Sequence, residues 1–229
     1  LFIAGLTMVV GVFGAMSQQE FRKILSFHII SQIGYMVMGL ALYTPLAIAG
    51  AVFYIIHHII VKTNLFLISG LVRVTHGSYQ LKKLGGVYNR FPAVAGFFVI
   101  AAFSLAGIPP LSGFWGKFVL AKAGLEIDQV ALVATSLFVG FLTLYSMVKI
   151  WNSVFWGKEL GESDASEQTE NMTQKQLFTS HALMVVPVFL LAGMTIYIGL
   201  APNELLELSH KIAQQLLSPD GYIEAVLGE

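Results

Sequence analysis

The sequence predicts an all-α integral membrane protein of about six transmembrane helices, one of them discontinuous, and three observations carry that prediction. First, 56% of the 229 residues are hydrophobic and only 11% charged, with a mean hydropathy of +0.74. A soluble domain of this length needs a solvated surface that such a composition cannot supply. Second, the charges are segregated. Arg22 with Lys23, the stretch from Arg73 to Arg90, and Glu159 to Lys175 lie between apolar runs long enough to cross hydrocarbon. Third, one apolar run is interrupted between Ala106 and Gly113 by AGIPPLSG. Pro109 and Pro110 lack an amide donor, and Gly107 and Gly113 admit backbone shapes closed to other residues, so the helical ladder opens there.

The spans follow from counting about 20 apolar residues per crossing at roughly 1.5 Å each. They run Leu1 to Met16, Ile24 to Leu42, Leu46 to Val72, Pro92 to Ala123 with the interruption inside it, Gln129 to Trp156, and Phe178 to Leu200. The Tyr43-Thr44-Pro45 turn ends the second and Pro202 stops the sixth. Beyond it, Leu205, Leu206, Leu208, Ile212, Leu216 and Leu217 recur at helical spacing, predicting an amphipathic helix on the membrane surface or on a partner. Three segments result: spans one to five over 1–156, an acidic loop over 157–176, and the last span with its tail over 177–229. Leu1 already lies in an apolar helix with neither an initiator Met nor a basic flank. We read the chain as the C-terminal piece of a longer protein.

Basic residues set the expected orientation. The loops after spans one, three and five hold Arg22, Lys23, Arg73, Lys82, Lys83, Arg90, Lys158 and Lys175, and the opposite loops hold almost none. The positive-inside rule places the first set in the cytoplasm and the C-terminal tail outside, in an inner or plasma membrane. Acidic residues count for little in that rule, so the loop from Glu159 to Glu170 is read as a solvated linker.

Polar groups within the spans are expensive in lipid and mark function or a specific partner. In the third span, AVFYIIHHIIVKTNLFLISG, His58 and Lys62 share a face one turn apart, with Tyr54 a turn earlier and His57 about 100° away. A His and a Lys stacked this way can pass a proton along the helix, each holding either charge state once desolvated. The structural alternative has His58 bonded to a neighbouring helix and Lys62 snorkelling to the interface. In the fourth span the break sits about halfway through the core, where freed carbonyls need protein or water, so Lys117 is expected beside a hydrated pocket. The alternative there is a proline kink used for packing, with Lys117 near the surface. His28, near the cytoplasmic end of span two, is a candidate entry residue or a simple helix contact. Lys149 is within snorkelling reach of the end of span five. Lys122 and His181 are read as structural, and Trp115, Trp151, Trp156 and Tyr145 as interface anchors.

Several classes are excluded. The chain has no cysteine, so disulfides and thiolate-bound metals are out, and none of its 13 acidic residues falls near a midplane. A Na⁺ site generally wants negative oxygen ligands, and this segment offers carbonyls, hydroxyls and amides. HExxH, GxSxG and P-loop patterns are missing, so hydrolysis is not expected, nor are a cofactor, a resident metal or a nucleic-acid partner. Lysines and histidines without a carboxylate amount to half of a proton path.

The blocks FRKILSFHIISQIGYMVMG, FYIIHHIIVKTNLFLISG, LKKLGG and FSLAGIPPLSGFWGKF are similar to the proton-translocating antiporter-like subunit family. That family is shared by Mrp-type multisubunit Na⁺/H⁺ antiporters and the membrane arm of NADH:quinone oxidoreductase, and the blocks most resemble the D-type branch of the Mrp group. The resemblance implies fourteen helices in two inverted five-helix repeats, each with a broken helix, this chain holding the second. It implies that Lys62 is the central-axis lysine, His58 the histidine a turn before it, and Lys117 the terminal charged residue of the second broken helix. Arg22 stands where many members carry Lys. The family's glutamate and its first broken helix would lie upstream of Leu1.

The function expected is therefore a subunit of a secondary transporter, exchanging protons for Na⁺ or another monovalent cation alongside other membrane subunits. Two alternatives stand beside it: a redox-coupled proton-pumping subunit of NADH:quinone oxidoreductase or a membrane hydrogenase, and a scaffold subunit that conducts nothing.

Overall fold

A computed structural model describes residues 1–157, 174–218 and 220–228, and all regular elements among them are helices. They are α1 (Phe2–Ser17), α2 (Phe21–Leu42), α3 (Pro45–His76), a short α4 (Val87–Arg90), α5 (Pro92–Ala106), α6 (Ser112–Glu126) and α7 (Val130–Ile150). After them come α8 (Gln174–Ser180), α9 (Ala182–Leu200), α10 (Asn203–Leu217) and α11 (Asp220–Leu227). Lys158 and the acidic loop from Glu159 to Glu170 lie outside the described residues.

Among the described residues, four helices are long and apolar enough to cross a membrane: Phe21–Leu42, Pro45–His76, Val130–Phe155 and Ala182–Leu200. The expected fourth span is two helices of 15 residues each, α5 and α6, so the discontinuity falls where the Pro and Gly residues put it. Local chemistry explains the other ends. Tyr43 takes a left-handed conformation (φ 50°), the Thr44 hydroxyl accepts from the Ala47 amide at 3.1 Å, and Pro45 opens α3. Gly77 closes the same helix at φ 71°, the usual glycine stop.

α3 is the hub, packed against α2, α5, α6, α9 and α10. α1 and α2 approach closely across small residues, and the Ser31 hydroxyl donates to the Met8 carbonyl at 3.0 Å. α7 runs on into a π-helical turn, Trp151–Phe155, where Phe98 and Trp151 stack on Phe155 with centroids 4.6 Å and 5.2 Å away. Trp151 is thus a packing residue within the bundle. α10 buries Ser209 and Ala213, the latter against Ile48 and Ala49 of α3, while Leu208 and Leu216 stay exposed.

The basic loops meet at one end of the bundle. The Phe21 amide donates to Tyr79 O at 2.9 Å, the Leu81 amide to Gln19 O at 3.0 Å, and the Gly86 amide to Gly157 O at 2.8 Å. Arg22 and Arg73 both lie over Tyr79 at this junction, their guanidinium carbons 4.9 Å and 4.8 Å from its ring centre.

Candidate functional site

The break in the α5–α6 pair is a built feature. α5 ends on Gly107 at φ 95°, whose amide reaches Phe103 O and Ser104 O at 3.0 Å and 3.1 Å, and the Pro109–Pro110 bond is cis. The carbonyls of Leu105 and Ala106, released from the helical ladder, accept from Lys117 Nζ at 3.0 Å and 3.1 Å. The Lys117 stem crosses Gly107, where a Cβ would come within 2.9 Å of its Cδ, and its ammonium lies 4.6 Å from the Tyr35 ring centre. A helix C-terminus and an aromatic face, with no carboxylate among the described residues, therefore hold this cation.

A second anchor fixes the break from α3. His57 Nδ1 shares a hydrogen bond with Ser112 Oγ at 2.8 Å, Ser112 Oγ with Ser104 Oγ at 3.0 Å, and the Gly113 amide donates to Ser104 Oγ at 3.2 Å. Backbone and ring leave no room for a side chain at Gly113. An added Cβ would meet Ser104 O at 1.8 Å and His57 at 2.9 Å.

Lys62 and His58 are 5% and 7% exposed, and His57 is fully buried. Lys62 Nζ donates to the Leu25 carbonyl of α2 at 2.9 Å, so it turns into the bundle. Tyr54 links the two lysine regions. Its ring centre is 6.4 Å from His58, 5.3 Å from His57 and 5.4 Å from Tyr35, and Tyr35 in turn covers Lys117. The Tyr54 hydroxyl donates to Gln32 Oε1, Gln32 Nε2 donates to Thr143 Oγ1 at 3.4 Å, and the Tyr35 hydroxyl donates to Ser136 O.

Among the described residues, neither ring nitrogen of His28, nor Nε2 of His57 or His58, nor either amide atom of Asn64 has a protein hydrogen-bond partner. Buried polar atoms of this kind are normally satisfied by water.

The remaining candidates sit elsewhere. Lys149 donates to Met16 O at 2.9 Å and Gln18 O at 2.6 Å, which caps the end of α1 beside the basic loops. Lys122 is exposed and pairs with Glu126 at 3.8 Å. Trp115 Nε1 donates to Gly199 O at 2.8 Å and ties α6 to α9. No group of His, Asp and Glu able to hold a metal occurs among the described residues.

Tyr35, Gln32, Thr143 and Ser136 went unnoticed in the sequence. The signal for two of them was present, since His28, Gln32 and Tyr35 stand at i, i+4 and i+7 on one face of α2.

A buried lysine and a half-buried one held by backbone carbonyls, the latter at a broken helix, in a bundle centred on a histidine-bearing hub, define a membrane subunit of the antiporter-like class. The family described as NADH:quinone oxidoreductase/Mrp antiporter, TM, matches residues 1–143, and the chain belongs to it as a multi-pass membrane protein. Within that family its similarity is to the D-type subunit of Na(+)/H(+) antiporters. It is 47% identical over all 229 residues to the D-type protein of Alkalihalophilus pseudofirmus and 35% identical to that of Bacillus subtilis. In both cases the chain spans 44% of the relative's length. Among solved structures, the Mrp complex from Dietzia sp. aligns with a TM-score of 0.88 at 35% identity, over 99% of this chain and 48% of that one. Respiratory complex I from Thermus thermophilus shares the fold, with a TM-score of 0.72 at 20% identity over 94% of this chain and 44% of that one. These matches bear out both the all-helical membrane fold and the family resemblance carried by the sequence blocks.

Proposed function

We propose that this chain supplies part of the proton path in a membrane subunit of a multisubunit cation/proton antiporter, exchanging protons for Na⁺ or another monovalent cation. The observation that carries the reading is the pair Lys62 and Lys117, both turned into the bundle and both hydrogen-bonded to backbone carbonyls. A scaffold has no use for two such groups, because each costs several kcal/mol of desolvation unless its charge is put to work.

Protons pass between His58 and Lys62 along α3, cross the Tyr54–Gln32–Tyr35 region through water, and reach Lys117 at the break. His57 holds the break in position through Ser112. Charge on either lysine opposes charge on the other, so transfer is stepwise and responds to events in the rest of the subunit and in neighbouring subunits. The basic loops face the cytoplasm and the C-terminal tail faces outward.

The test uses the complete subunit assembled with its partners in everted vesicles. Lys117→Ala and Lys62→Ala are each expected to abolish ΔpH-driven cation exchange while assembly persists. Normal exchange in either variant would remove that lysine from the path, and loss of assembly with normal exchange per complex would favour a scaffold.

A further inference from the structure

Among the described residues, Lys117 finds hydrogen-bond partners for two of its donors. An ammonium carries three N–H donors, and two of them go to Leu105 O and Ala106 O. The Tyr35 ring covers one side of the headgroup, and Gly140 of α7, which is buried, lies close to it as well. A Cβ placed on Gly140 would have as its three nearest neighbours Ala106 O at 3.6 Å, Tyr35 Oη at 3.7 Å and Lys117 Nζ at 3.8 Å. All three are polar, in a helix whose outward face is apolar. Their chemistry is also complementary. Ala106 O keeps a second lone pair, Tyr35 Oη gives its proton to Ser136 O and so can accept, and Lys117 donates. A water here would take one hydrogen bond from Lys117 and give two, near the usual number for a buried water.

We propose that Gly140 keeps open the water position through which Lys117 exchanges its proton. Glycine serves here by having no side chain, since its backbone is ordinary helix. The proton moves from Nζ to the water oxygen as one of that water's own protons leaves to a neighbouring water, so atoms and charge balance with water as the only added reactant, and Tyr35 Oη serves as a hydrogen-bond acceptor that orients the water. The inference rests on reading Lys117 as a relay station, and the experiment separates the two.

Gly140→Ala is sterically ordinary, with all three contacts beyond 3.4 Å, and alanine favours the helix over glycine. In the complete subunit within its complex, the thermal unfolding midpoint is expected to stay or rise. ΔpH-driven exchange per folded complex is expected to fall by about tenfold or more, in line with the loss of a positioned proton acceptor. Gly140→Ser adds the same Cβ together with a hydroxyl that can replace the water, and is expected to exchange faster than the alanine variant. Normal exchange in Gly140→Ala would overturn the proposal, and so would equal loss in the alanine and serine variants, which would assign the effect to bulk alone. Lys117→Ala run in parallel distinguishes the failures. If it is inactive while Gly140→Ala is normal, only the water position falls. If it exchanges normally, the relay reading falls.

Discussion

Single residues in this bundle make distinct contacts, so their substitutions should separate packing from proton transfer. Gly113 has backbone oxygen and the His57 ring where a side chain would go, so Gly113→Ala is expected to destabilise the subunit by about 1–3 kcal/mol, the usual range for overpacking. A thermal unfolding midpoint equal to the parent's would contradict the packing described. His57→Ala removes one hydrogen bond to the break but leaves both lysines in place, so exchange should fall less than in Lys62→Ala, measured side by side in vesicles. The inward placement of Lys62, His58 and Lys117 was legible because charge inside an apolar run is rare enough to stand out. Gly140 was not, since a glycine raises no such alarm, and Gln32 and Tyr35 showed only through their helical spacing from His28. What they touch depends on how α2, α3 and α7 cross.

At the scale of elements, sequence grammar worked where it is local. The break appears at the Pro and Gly residues that lack donors or a Cβ, and α3 starts at its Thr-Pro signal and stops at glycine. It failed where packing decides. The π-helical turn at Trp151–Phe155 coincides with an aromatic stack on Phe98, a residue from a distant segment. Lys149 belongs to the same class. Its ammonium closes the last turn of α1 from another helix, which no spacing rule could foretell. Lys149→Met is accordingly expected to lower stability by about 1–2 kcal/mol, for two partly solvated bonds to carbonyls, while leaving exchange per folded complex near the parent value. A large loss of exchange at unchanged stability would instead move Lys149 into the path.

For the whole molecule, the loops after α1, α3 and α7 converge, which matches their shared basic character. Their side of the membrane can be measured simply, because the chain contains no cysteine. Lys82→Cys should be labelled by an impermeant maleimide in everted vesicles and Glu207→Cys only in right-side-out ones; the reverse pattern would invert the proposed orientation. Membership of the antiporter-like family was legible from four sequence blocks, whereas the docking of α10 on α3 had to come from the fold.

The hub helix is also longer than the layer it crosses. Its 32 residues extend roughly 48 Å, against about 30 Å of hydrocarbon. A rod of that length tilts or protrudes, and both adjustments depend on lipid acyl length. His57 and Lys62 ride on this rod, bonded to Ser112 at the break and to Leu25 of α2. Membrane thickness thereby becomes a control variable for proton exchange: reconstitution into bilayers of graded acyl length should give a rate optimum, whereas a flat profile would show the hub locked in place by its neighbours.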